Sequence, residues 1–182
     1  MPNAAAVRPR AEDYAPYYER YVKRVPDGSV LDTLARQAEE TTALFSGLDA
    51  ERGKYRYAPD KWSVLDVLGH VMDTERVFAY RALRAARGDE TPLPGFDETT
   101  WAPLARYSEH TVADVVAEYR AVRAATIALL RGLDDAAWDR TVTANEQGVS
   151  VRGLAWIMAG HELHHRGVLT EKYGLGAEVK RT

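Results

Sequence analysis

Residues 150–174 read SVRGLAWIMAGHELHHRGVLTEKYG. Within them, His161-Glu162-Leu163-His164-His165 satisfies the His-Glu-x-x-His pattern of zinc metalloproteases. Ser150 is placed to cap a helix and Gly174 to end it. Leu154, Ile157, Met158 and Val168 fall at helical spacing between them. Residues four apart on a helix differ by about 40° in direction, so His161 and His165 point the same way. His164 is also within reach of His161, and the pair 161/164 stays open on geometry alone. Either pair needs a further ligand to hold a divalent ion firmly. A protease of this pattern would draw that ligand from downstream. The 17 residues after His165 offer only Glu171 and Glu178, and no sheet is evident for the motif helix to lie beside. The stretch therefore reads as a metal-binding helix of an all-helical protein.

Three more runs carry the same signature upstream. Ser29 with Asp32 opens VLDTLARQAEETTALFSGL, whose apolar side holds Val30, Leu31, Leu34, Ala38, Thr41 and Leu48. Ser63 with Asp66 opens the run that ends near Gly88, and Thr111 with Asp114 opens the run that ends at Gly132. Runs of about 20 residues are about 30 Å long as helices. Together they predict an all-α, four-helix bundle. The connection ETPLPGFDETTWAPLARYSEH is far longer than a tight turn, and the first and third connections are also long. Long crossovers are expected, not a simple up-down-up-down chain. YRYAP and RTVTA are too short and isolated to suggest a sheet. Residues 1–13 are expected to be a flexible segment, and 14–182 a single domain.

Composition narrows the function. The 182 residues carry 46% hydrophobic and 28% charged side chains, as in an ordinary globular domain. Net charge is -3 with no basic stripe, so nucleic acid is not expected as a partner. No run approaches the ~18 apolar residues of a membrane helix, and the first residues lack the apolar core of a secretory signal. A cytoplasmic location is the expectation. Cysteine is absent, so any metal site must use His, Asp or Glu.

His70 is the remaining histidine of interest. It sits in SVLDVLGHVMDTERVF among Val67, Val71, Thr74 and Val77. A lone histidine on an apolar stripe is ordinarily a core residue. A pair of histidines on another apolar helix changes that reading, because bundle-core sites are assembled from facing helices. Three neutral imidazoles with an open position are the ligand set of a catalytic metal. His110, in RYSEHT, reads as an exposed loop residue.

YRYAPDKWSVLDVLGHVMDTERVFAYRALRAARGD, then LPGFDE, then LAWIMAGHELHHRGVL resemble the DinB/YfiT-like superfamily over about residues 14–173. The resemblance implies one divalent metal ion per chain, zinc or nickel, held by His70, His161 and His165. It also implies a homodimer, and relatives described as metal-dependent hydrolases or as thiol S-transferases and isomerases.

The expected function is thus a metal-dependent enzyme activating water or a low-molecular-weight thiol toward a small-molecule substrate. A divalent ion lowers the pKa of bound water from ~15.7 to around 7. Asp66 and Asp73, four before and three after His70, are candidates to orient its imidazole; helix capping and a surface ion pair are their plainer roles. Glu162 lies about 100° around the helix from His161 and is expected to face another helix or solvent. Trp62, Trp101 and Trp156 read as core and loop anchors before pocket walls. The alternative is a non-catalytic, metal-binding dimeric module for stress response or binding.

Overall fold

The computed structural model describes residues 4–176. Residues 1–3 and 177–182, with Glu178, lie outside the described residues. The chain folds as short α1 (Glu19–Val22), α2 (Val30–Ser46), α3 (Ala50–Lys54), α4 (Val64–Ala86), α5 (Glu98–Ala105), α6 (Val112–Arg131), a hairpin β1 (Thr141–Ala144) and β2 (Gln147–Ser150), and α7 (Val151–Tyr173). The four long helices start where the caps stand. The side chains of Ser29, Ser63, Thr111 and Ser150 accept from Asp32, Asp66, Asp114 and Gly153 backbone N–H groups. Each satisfies one donor that a helix N-terminus leaves orphaned. Gly174, in the left-handed region, closes α7.

α4 packs on α7 and α6, and α2 packs on α6 and α7. Helices consecutive in the bundle, α2 to α4 and α6 to α7, are therefore diagonal. Two apolar clusters set their directions. One takes Val30 and Leu34 from the start of α2, Phe78 and Ala82 from late α4, Leu130 from late α6, and Leu154 to Ile157 from early α7. The other takes Phe45, Leu65 to Met72, Val115 to Tyr119, and Leu169 to Tyr173 from the opposite ends. α2 and α7 thus run one way, α4 and α6 the other. Adjacent parallel α4 and α6 require residues 87–111 to travel back along the bundle, which accounts for that long crossover.

Between the two apolar clusters lies a polar layer to which all four helices contribute. Arg123 of α6, 1% exposed, pairs with Glu75 of α4 and Glu162 of α7. It also donates to the Leu34 carbonyl and to the Gln37 side chain of α2. Thr41 and Tyr119 donate to the Glu162 carboxylate at 2.6 and 2.9 Å. Burying a charge is tolerable only when it is paired and hydrogen-bonded, and every member here is.

One expectation is corrected. RTVTA does form a strand: Val142 pairs with Val149 and Ala144 with Gln147 across an Asn145-Glu146 turn. Both turn residues have positive φ, 50° and 63°, which matches the right-handed twist of the flanking strands. Ala4 and Ala5 are buried, and Arg152 donates to the Ala4 carbonyl. Among the described residues, no helix is long and apolar enough to cross a membrane.

Candidate metal centre

His70 stands two turns into α4, and His161 and His165 lie one turn apart on α7, which packs against it. Each helix is crossed beside its histidine by another segment at a glycine. A side-chain carbon on Gly160 would clash with the backbone of Tyr21 in α1, and one on Gly69 with the ring of Tyr107. The Gly-His pairs are therefore close-approach points that seat the ligand helices. Tyr21 then stacks edge-on against His161 with ring centres 5.3 Å apart, and Trp62 lies 4.8 Å from His70.

The imidazoles converge. His161 Nε2 lies 3.1 Å from His70 Nε2 and 3.1 Å from His165 Nε2. One ligand nitrogen from each of the three lies within 4.8 Å of the others. Two nitrogens about 2.0–2.1 Å from a common centre would show this spacing at an angle near 100°. His161 Nε2 can share at most one proton, and so with one neighbour at a time. A single cation would engage all three lone pairs. Burial, more than neighbouring charge, keeps the rings neutral. It pushes His70 down to about 4, with His164 adding to the effect. Burial likewise holds His161 and His165 well below the usual histidine range, with their histidine neighbours as the next cause. Neutral imidazole is the form that binds metal, so the residues fit the group.

The other candidates separate from the cluster. His164 packs on Tyr21 and His165 without joining the three nitrogens, and His110 is exposed. Neither expected orienting carboxylate bonds an imidazole. Asp66 completes the capping box with Ser63, accepts from the Ser108 backbone and pairs with Arg56. Its position in the first turn commits it to those donors. Asp73 accepts from Tyr107 and pairs with Arg76, on the side of α4 that the crossover covers. Glu162 faces α2 and α6 inside the polar layer, as expected from its angle to His161.

The cluster opens into a cavity of about 530 Å³. α4 forms one wall with Thr74, Phe78 and Arg81 beyond His70, and Trp62 lines the cavity beside His70. Tyr17, Tyr18, Arg20 and Tyr21 form a second wall, Phe96 and Glu98 a third, and Asn145 and Gln147 of the hairpin a fourth. The hairpin is held there by the crossover: Leu93 donates to Thr143 and Asn145 donates to Leu93. Sequence reasoning missed most of these walls. Tyr14, Tyr17, Tyr18 and Tyr21 do carry a readable signal, an aromatic repeat at helical spacing.

The chain is thus a diagonal four-helix bundle with three converging histidines, a group that could hold a metal ion, open to a cavity. The DinB superfamily profile matches residues 33–169, and the chain belongs to that family. Its fold is similar to YfiT from Bacillus subtilis, described as a probable metal-dependent hydrolase with an unusual four-helix bundle topology. That match has TM-score 0.67 and 17% identity, and covers 95% of this chain and 99% of that one. It is also similar to the DinB-like protein YjoA from Bacillus subtilis, at TM-score 0.57 and 19% identity over 77% and 85% of the two chains. The mycothiol-dependent maleylpyruvate isomerase matches with TM-score 0.64 and 18% identity, over 86% of this chain and 64% of that one. A sequence search of curated proteins finds no match.

Proposed function

We propose that this protein is a metal-dependent enzyme whose His70, His161 and His165 hold one divalent ion, zinc or nickel, against a substrate cavity. The observation that carries the reading is the convergence of three neutral imidazoles at a cavity wall. A divalent ion there would supply the Lewis acidity that makes water or a small thiol nucleophilic at neutral pH. The chain's own residues do the rest. α4 and α7 fix the three nitrogens, and Tyr21 and Trp62 pack on the His161 and His70 rings. Opening to a cavity favours catalysis over a purely structural metal, whose ligand shell is closed by protein.

The nucleophile is either water or a low-molecular-weight thiol. Likeness to a probable hydrolase and to a mycothiol-dependent isomerase supports each in turn. A homodimer belongs to the same proposal and rests on the family resemblance. The test is a paired assay of zinc- or nickel-loaded protein and His165→Ala. Activated esters are offered alone, and electrophiles are offered with small thiols. Turnover confined to the unmodified protein supports the reading, and equal turnover by both proteins would overturn it. Sedimentation showing a monomer at high micromolar concentration would remove the dimer and leave the site intact.

A further inference from the structure

Three described arginines are buried. Arg123 is paired with Glu75 and Glu162, and Arg152 with Asp139. Arg81, 4% exposed, has no carboxylate within ion-pair distance among the described residues. It donates to the Pro94 carbonyl at 2.9 Å, interacts with the Tyr18 hydroxyl, and lies 5.5 and 5.7 Å from the ring centres of Phe78 and Phe96. These contacts hold the guanidinium in place without neutralising it. A buried cation left without a counter-charge is costly, and the same chain avoids that cost at its other two buried arginines.

Arg81 is on the cavity wall. His70, Thr74, Phe78 and Arg81 fall within about 80° of one another around α4, so they form one stripe from the imidazole cluster to the guanidinium. The Cα atoms of His70 and Arg81 are about 16 Å apart at 1.5 Å per residue. Between them Thr74 lines the cavity, and its hydroxyl is buried with no hydrogen-bond partner among the described residues. Arg20, exposed on another wall, has no carboxylate within ion-pair distance among the described residues; it lies over the Tyr17 ring and donates to Tyr21. Glu98 is the one acidic side chain among the cavity walls described, and it makes no ion pair with either arginine.

We propose that Arg81 is an anion-binding subsite, and that the molecule taken by this cavity carries a carboxylate at the end remote from the imidazole cluster. The guanidinium fork matches a carboxylate in geometry. The flanking phenyl rings favour a weakly hydrated monoanion over a phosphate dianion, whose desolvation costs more. The substrate class rests on the cavity being the substrate site of the proposed enzyme; the subsite itself does not require the metal.

The test uses full-length ¹⁵N-labelled protein, metal-free and zinc-loaded, titrated with sodium hexanoate and with hexanamide. The Arg81 Nε–Hε resonance is assigned by its loss in Arg81→Lys. Hexanoate should shift that resonance in both forms and in His165→Ala, whereas hexanamide at equal concentration should not. Arg81→Gln should weaken hexanoate binding at least tenfold. If that variant does not fold, the resonance in the unmodified protein still decides. An unmoved Arg81 signal at saturating hexanoate overturns the proposal, as does undiminished binding by folded Arg81→Gln. Hexanoate bound only when zinc is present, without an Arg81 response, also overturns the subsite while supporting the metal. An Arg81 response in protein that takes up no zinc supports the subsite and sinks the metal reading instead.

Discussion

Replacing Glu162 with glutamine separates the two meanings of the His-Glu-x-x-His pattern. In the structure the Glu162 carboxylate accepts from Thr41 at 2.6 Å, from Tyr119 at 2.9 and 3.1 Å, and from Arg123. Glutamine keeps the volume and one acceptor. Its oxygen can face Arg123 while its amide donates to the two hydroxyl oxygens, which rotate to accept. The loss is then the difference between charged and neutral hydrogen bonds, about 1–3 kcal/mol in all. Arg123 is not stranded, because Glu75 still grips it at 2.7 to 3.1 Å. For a chain of this length, each kcal/mol moves the melting temperature by about 2–4 °C. Glu162→Gln should therefore melt about 2–12 °C lower, bind metal with unchanged stoichiometry, and keep turnover within about tenfold. Differential scanning calorimetry, metal analysis and a rate measurement on one preparation give all three quantities. An unchanged melting temperature, with metal in place and turnover down by several orders of magnitude, would refute the reasoning. It would make Glu162 the general base of a protease-like site.

Arg123→Met should cost more, about 3–5 kcal/mol, because Glu75 and Glu162 are left buried with no cation. Urea unfolding should show a lower midpoint at an unchanged slope. Gly160→Ala drives a methyl into the Tyr21 backbone, and overpacking of this kind costs about 1–3 kcal/mol. A thermal melt indistinguishable from the unmodified protein would show that α1 does not dock there. His164→Ala should retain metal binding and His165→Ala should lose it, as read by metal per chain after dialysis, since two imidazoles are too few for firm binding.

The long helices were legible because each begins with a hydroxyl cap and a carboxylate three residues on, or ends at glycine. His70, His161 and His165 were legible because apolar stripes on two helices carried histidines and the family resemblance joined them. Helix direction was not legible, since periodicity has no polarity with respect to a neighbour. The up-down-down-up course appears only when the ends of α2, α4, α6 and α7 sort into two clusters. The hairpin was missed because its turn is Asn145-Glu146, where the usual signal is a glycine in the second position. Arg123, Glu75 and Glu162 are separated by 39 and 48 residues from their partners, so no local pattern links them. Helical spacing puts Arg81 on the same stripe of α4 as His70 and Phe78. Its burial comes from residues 91–97 folding back over α4, which no property of α4 discloses.

The central claim is that three histidines from α4 and α7 hold one divalent ion. X-ray absorption on protein purified without added metal, with the ion identified and counted in the same sample, tests it most directly. The account predicts one ion per chain whose first shell contains three imidazoles, reduced to two in His70→Ala together with a much lower occupancy. Protein that takes up no divalent metal at neutral pH, or an ion whose imidazole shell is unchanged in His70→Ala, would contradict it.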